Sequence, residues 1–333
     1  MTPPGNPAQA AEMRRVADAI RRHRRFVVST HINPEGDALG SALALASLIR
    51  RLGRRAVVVT HGGIPKAFDF LPRVAPAFIR PPARFRPEVA MTVDVPVLER
   101  LGSMIPMFRR ADLRVVIDHH VSNRRFGDIN WVDPKAAAVG EMIYRLYRAF
   151  RIRPSRGEAL CLYASIVTDT GSFRYLSTTP EVLRIAADLV SLGVSPLQVA
   201  QDLYECHSAS DLKFLGRVLS GLRQAHGGKV AWVEVPRALY RAGRPGSEIM
   251  DELVNFPRAV RSAEVAFVLR EHVPDGKIRV SFRSKGRVDV DRIARRFGGG
   301  GHMAASGCSV EGTLTQARRK VLRVVREALR SRA

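Results

Sequence analysis

In the first half of the chain, short apolar runs alternate with longer segments whose apolar residues recur every three or four positions. The runs FVVST (26–30), AVVVT (56–60), VAMTVDV (89–95) and LRVVID (113–118) are continuous, rich in β-branched residues and flanked by polar ones. That pattern predicts strands buried on both faces. Between the first two runs lies SALALASLIRRLG (41–53), a helical pattern stopped by Gly53. Strand, helix and strand in succession predict βαβ units and a parallel sheet. Past Trp131 the spacing predicts helices at 136–150, at about 156–168 and at 180–192, the last two parted by the polar loop TDTGSFRYLSTT.

From 196 to 223 the pattern is helical and contains no strand, so it reads as a connector. Strands resume at KVAWVEVP (229–236), AEVAFVLRE (263–271) and KIRVSFRS (277–284), the last two separated by the turn-forming PDG. A short helix, VDVDRIARRF (288–297), ends at four glycines, and 313–331 form a terminal helix. The expected fold class is α/β. A parallel-sheet domain (12–193) is joined by a helical connector (194–223) to a smaller mixed α/β domain (224–331), with the working site in the cleft between them.

A chain of 333 residues suits two domains, each able to fold without covalent staples. The three cysteines, Cys161, Cys206 and Cys308, are odd in number and far apart, which argues against a disulfide framework or a thiolate metal site. No leader-like segment is apparent and no apolar run approaches membrane-spanning length, so a cytoplasmic protein with no membrane partner is expected. Lys and Arg number 54 against 31 Asp and Glu, a formal charge of +23. Such a field favours polyanionic partners. Individual arginine clusters, such as Arg21, Arg22, Arg24 and Arg25, read equally well as solvated helix faces.

The ends of the first-half strands carry the chemistry. The first runs into His31, Glu35 and Asp37; the third ends at Asp94; the fourth ends at Asp118, His119 and His120; and Asp169 closes an apolar helix. Taken singly, Asp37 reads as a helix cap, and Asp94 and Asp169 as turn formers. In a parallel sheet, however, they all converge on the C-terminal edge, where ligands bind. Four carboxylates crowded there would repel one another unless positive charge sits among them. Two divalent cations would balance Glu35, Asp37, Asp94 and Asp169. Imidazole and carboxylate donors without thiolate suit Mn²⁺ first, then Mg²⁺, Co²⁺ or Zn²⁺.

HINPEGD (31–37), Asp94 within VDVPVLERLG, VIDHH (116–120) and TDTGSF (168–173), in that order and spacing, resemble the four motifs of the DHH phosphoesterase superfamily. FGGGGHMAASG (297–307) resembles the glycine-rich signature of the DHH-associated substrate domain. The likeness spans nearly the whole chain. Among subfamilies it is most similar to the nano-RNase and pAp-phosphatase group, compact bacterial enzymes that degrade short RNA and adenosine 3′,5′-bisphosphate (pAp). The resemblance implies that His31, Glu35 and Asp94 hold one metal, that Asp37, Asp94, His119 and Asp169 hold another, and that Asp94 bridges. It makes His120 and Asp118 the catalytic pair, with His120 meeting the substrate phosphate or leaving oxygen and Asp118 orienting its neighbours. The family usually has Asp where this chain has Glu35.

In the second domain, Gly298 suffices to cap a helix, and the further glycines exceed what capping requires. Gly299, Gly300, Gly301 and His302 are expected to offer N–H donors to a phosphate, with Arg283 and Ser284 gripping the substrate's far end. The implied partners are short RNA oligonucleotides and nucleotide phosphates, and a homodimer is compatible with the reading. Activity on linear or cyclic dinucleotides is the alternative. A catalytically silent basic RNA-binding protein is the alternative of another class.

Overall fold

A computed structural model describes residues 7–81, 85–239, 247–271 and 276–330, and the chain divides into two compact units, Met1–Leu203 and Tyr204–Ala333.

The first unit is built on a six-stranded, wholly parallel sheet. Its elements are α1 (Pro7–Arg22), β1 (Arg25–Ser29), α2 (Gly36–Arg51), β2 (Arg55–Val59), β3 (Ala77–Phe78), β4 (Val89–Val93), a 3₁₀ segment (Leu98–Met104), α3 (Ile105–Arg110), β5 (Leu113–Asp118), β6 (Ile129–Val132), α4 (Val139–Ala149), α5 (Arg156–Asp169), α6 (Pro180–Ser191) and α7 (Pro196–Tyr204). The strand order is β3-β2-β1-β4-β5-β6, so the chain reverses direction of growth between β1 and β4. In open α/β sheets that reversal opens a crevice at the strands' C-terminal ends.

Alternation along each strand explains why the runs are apolar throughout. Phe26, Val28, Ala56, Val58, Met91, Val93, Val115 and Ile117 join the core that α2, α4 and α5 cover. Val27, Val57, Val59, Ala90 and Val116 face the other way, onto Leu101, Met104 and Phe108. Helix α2 is buried nearly all round, and its glycines allow this: a Cβ on Gly40 would collide with the Cys161 carbonyl of α5. Backbones therefore approach closely where α2 crosses α5.

The second unit holds a mixed sheet in the order β11-β12-β10-β9-β8-β7, with β8 and β9 parallel and the other pairs antiparallel. Its elements are α8 (Ala209–Leu219), β7 (Arg223–Ala225), β8 (Val230–Val235), α9 (Ser247–Glu252), α10 (Asn255–Ala259), β9 (Val265–Glu271), β10 (Ile278–Ser284), α11 (Val290–Arg295), β11 (Gly300–His302), β12 (Ala305–Val310) and α12 (Leu314–Arg330). One face packs Trp232, Phe267 and Phe282 beneath α11 and α12. The other packs Val233, Val235 and Val268 against Phe214, Leu215 and Val218 of α8.

Several expectations need correction. The strands β3 and β6 in the first unit, and β7, β11 and β12 in the second, are too short, or too broken by small and polar residues, to announce themselves. Helix α4 starts at Val139 rather than at 136, because the Ala137 and Val139 amides are given to the carboxylates of Glu141 and Asp37 instead of to a helical turn. Tertiary hydrogen bonds override the helix propensity of the alanines there. Pro274 and Asp275 of the expected turn lie outside the described residues. Among the described residues no single helix is long and apolar enough to cross a membrane.

Candidate metal centre

Five element ends bring the site together. β1 and the loop after it deliver His31; Glu35 is the N-cap residue of α2 and Asp37 lies within that helix's first turn. Asp94 is the first residue past β4, and its amide still bonds the Ile117 carbonyl at 3.1 Å. Its φ of 61° turns the chain sharply out of the sheet. For a residue with a Cβ that left-handed conformation costs about 1–2 kcal/mol, a strain typical of functional positions. Asp118 ends β5 and Asp169 ends α5.

Asp94 lies among three histidines. Its Oδ2 is 3.4 Å from His31 Nε2, and its Oδ1 is 3.8 Å from His119 Nε2 and 3.4 Å from His120 Nδ1. His119 Nε2 also faces Asp169 Oδ2 at 3.1 Å and Asp37 Oδ2 at 3.7 Å. Donor atoms of Asp37, His119 and Asp169 all lie within 4.8 Å of one another, as do those of Asp94, Asp118 and His120. His31, Asp37, Asp94, Asp118, His119 and His120 are buried, whereas Glu35 is exposed.

Backbone and second-row contacts fix the rings. His119 Nδ1 donates to the Ala136 carbonyl at 3.0 Å, and His31 Nδ1 lies 2.8 Å from the Ile32 carbonyl. Each ring is thereby held with Nε2 toward the carboxylates, able to give its lone pair to a metal once the proton it shares with them is displaced. Asp118 Oδ1 accepts from the amides of His119 (2.8 Å) and His120 (3.3 Å) and from His120 Nδ1 (2.8 Å), while Asn123 Nδ2 donates to Oδ2 at 2.5 Å. Asp118 thus orients both histidines.

Asp37 Oδ1 accepts from Ser41 Oγ (2.9 Å), Ser165 Oγ (2.5 Å) and the Gly140 amide (3.1 Å), and Oδ2 from the Val139 amide (2.8 Å). Burial, with the charges of Asp94 and Asp169, still pushes its carboxyl up to about 7. Burial would raise Asp94 as well, but a hydrogen bond from His31 and the fields of His120, His31 and His119 hold it far below the usual carboxylate range. Burial lowers the pKa of His119 and His120, yet the carboxylates of Asp169 and Asp118 respectively raise both above the usual imidazole value. The cluster thus holds protons where a cation is wanted. Its donors are oxygen and imidazole nitrogen without thiolate, which fits a divalent metal of the harder kind.

Serines and a loop on which the sequence gives only faint signals complete the centre. Ser41 stands one helical turn after Asp37, and Ser165 one turn before Asp169; that i, i+4 spacing on apolar helices is the available clue. Arg145 of α4 reaches back to the loop before that helix, bonding Asp133 Oδ2 at 2.9 Å, and pairs with Glu141, whose Oε2 accepts from the Ala137 amide at 2.7 Å.

The second-unit candidates have local roles. Gly300–His302 is an edge strand rather than an open loop, and a Cβ on Gly299 would collide with the Gly307 carbonyl. Gly301 already donates its amide to Asp291 Oδ1 at 2.8 Å. Close hairpin packing therefore accounts for part of the glycine run. Ser284 is buried and its amide bonds the Ala304 carbonyl at 2.9 Å, while Arg283 Nη1 bonds the Phe282 carbonyl at 3.0 Å. His302 is half-buried on β11.

Comparison with known proteins gives concordant results. The DHH family N-terminal domain matches residues 25–166, and the DHHA1 domain matches residues 244–331. The bifunctional oligoribonuclease and PAP phosphatase NrnA of Thermus thermophilus is 33% identical over 96% of this chain and 94% of its own. The protein of the same name from Bacillus subtilis is 27% identical over 87% of this chain and 91% of its own. An exopolyphosphatase-related protein from Bacteroides fragilis superposes with a TM-score of 0.84 at 25% identity, covering 97% of this chain and 96% of that one.

Proposed function

The chain belongs to the DHH family, with a DHHA1 domain following its DHH domain, and from that premise we propose that it is a metal-dependent phosphoesterase of short RNA and pAp. It hydrolyses short oligoribonucleotides to mononucleotides and removes a phosphate from pAp. The observation that carries this reading is Asp94, whose two carboxylate oxygens face His31 on one side and His119 and His120 on the other. The relatives named as oligoribonuclease and PAP phosphatase match nearly the whole chain, which supports the same substrates.

In this reading His31, Glu35 and Asp94 hold one divalent ion and Asp37, Asp94, His119 and Asp169 hold a second, Mn²⁺ before Mg²⁺, Co²⁺ or Zn²⁺. Such a pair supplies an activated water and neutralises the phosphoryl oxygens. The rest is done by this chain's own groups. Asp118 accepts a hydrogen bond from His120 Nδ1–H and leaves Nε2 for a phosphate or leaving oxygen. Arg283, Ser284, Gly299, Gly300, Gly301 and His302 are proposed to grip the far end of the substrate. Residues 12–193 act as the catalytic domain, 194–223 as connector and 224–331 as the substrate-binding domain. The +23 charge speeds encounter with polyanions. Cys161, Cys206 and Cys308 are all free, which fits a reducing cytoplasm, and a homodimer is compatible with the reading.

The test is hydrolysis of a labelled dinucleotide, short RNA, pAp and a cyclic dinucleotide, each with Mn²⁺ and with chelator. Chelator-sensitive cleavage of the linear RNA and pAp is expected. RNA bound but left uncut by metal-replete protein would identify a binding module instead, and cleavage of the cyclic dinucleotide alone would move the activity to that class.

A further inference from the structure

Arg100 is a positive charge that the metal-centre reading does not use. It lies half-buried in the 3₁₀ segment Leu98–Met104, with Nη2 3.1 Å from His31 Nδ1. Its position is fixed from several sides. The Ile32 amide donates to the Arg100 carbonyl at 2.8 Å. Gly102 has a φ of 56°, and a Cβ there would stand 2.7 Å from Ile32 Cγ2 and 3.1 Å from His61 Nδ1. His61 Nδ1 and Ser103 Oγ close the same loop at 2.9 Å. The segment is thereby tied to the loop that carries His31.

Among the described residues Arg100 makes no ion pair, whereas Arg51, Arg114 and Arg145 each have a carboxylate partner. Its contact with His31 cannot replace one. Nδ1 of His31 lies 2.8 Å from the Ile32 carbonyl oxygen, which can only accept, so Nδ1 carries the ring proton in the neutral tautomer whose Nε2 is given to a metal. A guanidinium has donors and no acceptor, so at that Nδ1–H it finds nothing to bond. Half-burying a charged donor without an acceptor is unfavourable, and an anionic oxygen beside His31 would resolve it.

We propose that Arg100 is a substrate-binding residue, its guanidinium holding a phosphoryl oxygen of the substrate on the His31 side of the metal centre. The assignment rests on the phosphoesterase reading for the identity of the anion. It explains why an arginine, with its planar fork, stands beside a histidine rather than beside an acid.

The test uses the full chain loaded with Mn²⁺ and inorganic phosphate as probe, comparing wild type with Arg100→Gln and Arg100→Lys. Phosphate affinity is expected to fall about 10- to 150-fold in Arg100→Gln, the usual worth of a hydrogen bond to a charged group, and less in Arg100→Lys. Mn²⁺ affinity, read separately from the electron paramagnetic resonance of bound Mn²⁺, should stay near wild type. Unchanged phosphate affinity would overturn the proposal. So would a parallel fall in Mn²⁺ affinity, which would make Arg100 a support for His31. Should the wild type fail to cut RNA or pAp while Arg100→Gln still weakens phosphate binding, the proposed substrates fail and the Arg100 assignment stands.

Discussion

The Ala136 carbonyl accepts the Nδ1 proton of His119 at 3.0 Å, so the loop before α4 sets which nitrogen of His119 faces Asp37 and Asp169. The same loop gives the Val139 and Gly140 amides to Asp37. Arg145 holds it by pairing with the buried carboxylates of Asp133 and Glu141. Arg145→Met would leave two buried acids unpaired, a loss of about 3–5 kcal/mol by analogy with other broken buried pairs. Because His119 loses its backstop as well, Mn²⁺ affinity should fall about 10- to 100-fold. Denaturant unfolding and Mn²⁺ titration read the two effects separately. A destabilised variant with wild-type metal affinity would show that the loop supports the fold and not the site.

Asp94 offers the sharper test of the shared-carboxylate reading. Asp94→Asn keeps the shape and removes the charge that faces His31 and His119. Turnover of a labelled dinucleotide should fall by about three orders of magnitude, the kinetic equivalent of several kcal/mol. Bound Mn²⁺ per chain should fall with it while the circular dichroism spectrum is kept. Full metal occupancy in the variant would refute the bridging role.

The acid and histidine positions are legible in the sequence because strand ends are. Continuous β-branched runs mark β1, β2, β4 and β5, and parallel topology sends every C-terminal end to one edge, so the sequence alone draws His31, Asp94 and Asp118–His120 together. What stays hidden are contacts made across the fold. Nothing local tells that Gly140 donates to Asp37, a residue 103 positions away, or that Ala136–Ala138 decline the helix their composition favours. The glycine run at 298–301 is ambiguous for a related reason. Glycines needed for close strand packing and glycines needed for a phosphate look alike in sequence, and the hairpin with β12 accounts for the first need at Gly299 and Gly301 without deciding the second.

Acid stability should depend on Glu158, in the first turn of the helix that ends at Asp169. Burial raises its pKa, but Ser47, the Ser155 amide and hydroxyl, and Arg51 together hold it below the ordinary glutamate value. A depressed folded pKa means that the folded state binds fewer protons than the unfolded one, so the contribution is present above about pH 4.5 and is lost as pH falls through the folded value. Glu158→Gln should therefore be less stable than wild type at pH 7, by about 1.5–3 kcal/mol for hydrogen bonds to a charged group. The gap should narrow toward pH 3.5, within about a unit of the unfolded pKa. Denaturant midpoints across pH measure it, and a gap that widens in acid would reverse the assigned sign.

Gly40 separates local propensity from tertiary packing. In the interior of an isolated helix, replacing glycine by alanine stabilises by about 0.5–1 kcal/mol. Gly216 of α8 has nothing within 4 Å of a built Cβ, so Gly216→Ala should show that gain. At Gly40 the added carbon would meet the Cys161 carbonyl, part of the α5 backbone and unable to rotate away, so α2 and α5 must separate. Overpacking of this kind costs about 1–3 kcal/mol, enough to reverse the sign. The consequence for function should be larger than that for stability. Asp37 rides on α2 and Asp169 on α5, and Ser165 Oγ of α5 reaches Asp37 Oδ1 at 2.5 Å, so spreading the helices moves carboxylates that face the same His119. A displacement near 1 Å in a reacting site can cost about 100-fold in rate. Gly40→Ala is thus expected to lose both stability and dinucleotide turnover, the second more steeply, while Gly216→Ala gains stability and keeps turnover. Equal stabilisation by the two substitutions would mean that the α2–α5 crossing can relax, and that glycine at position 40 is not what sets the spacing of Asp37 and Asp169.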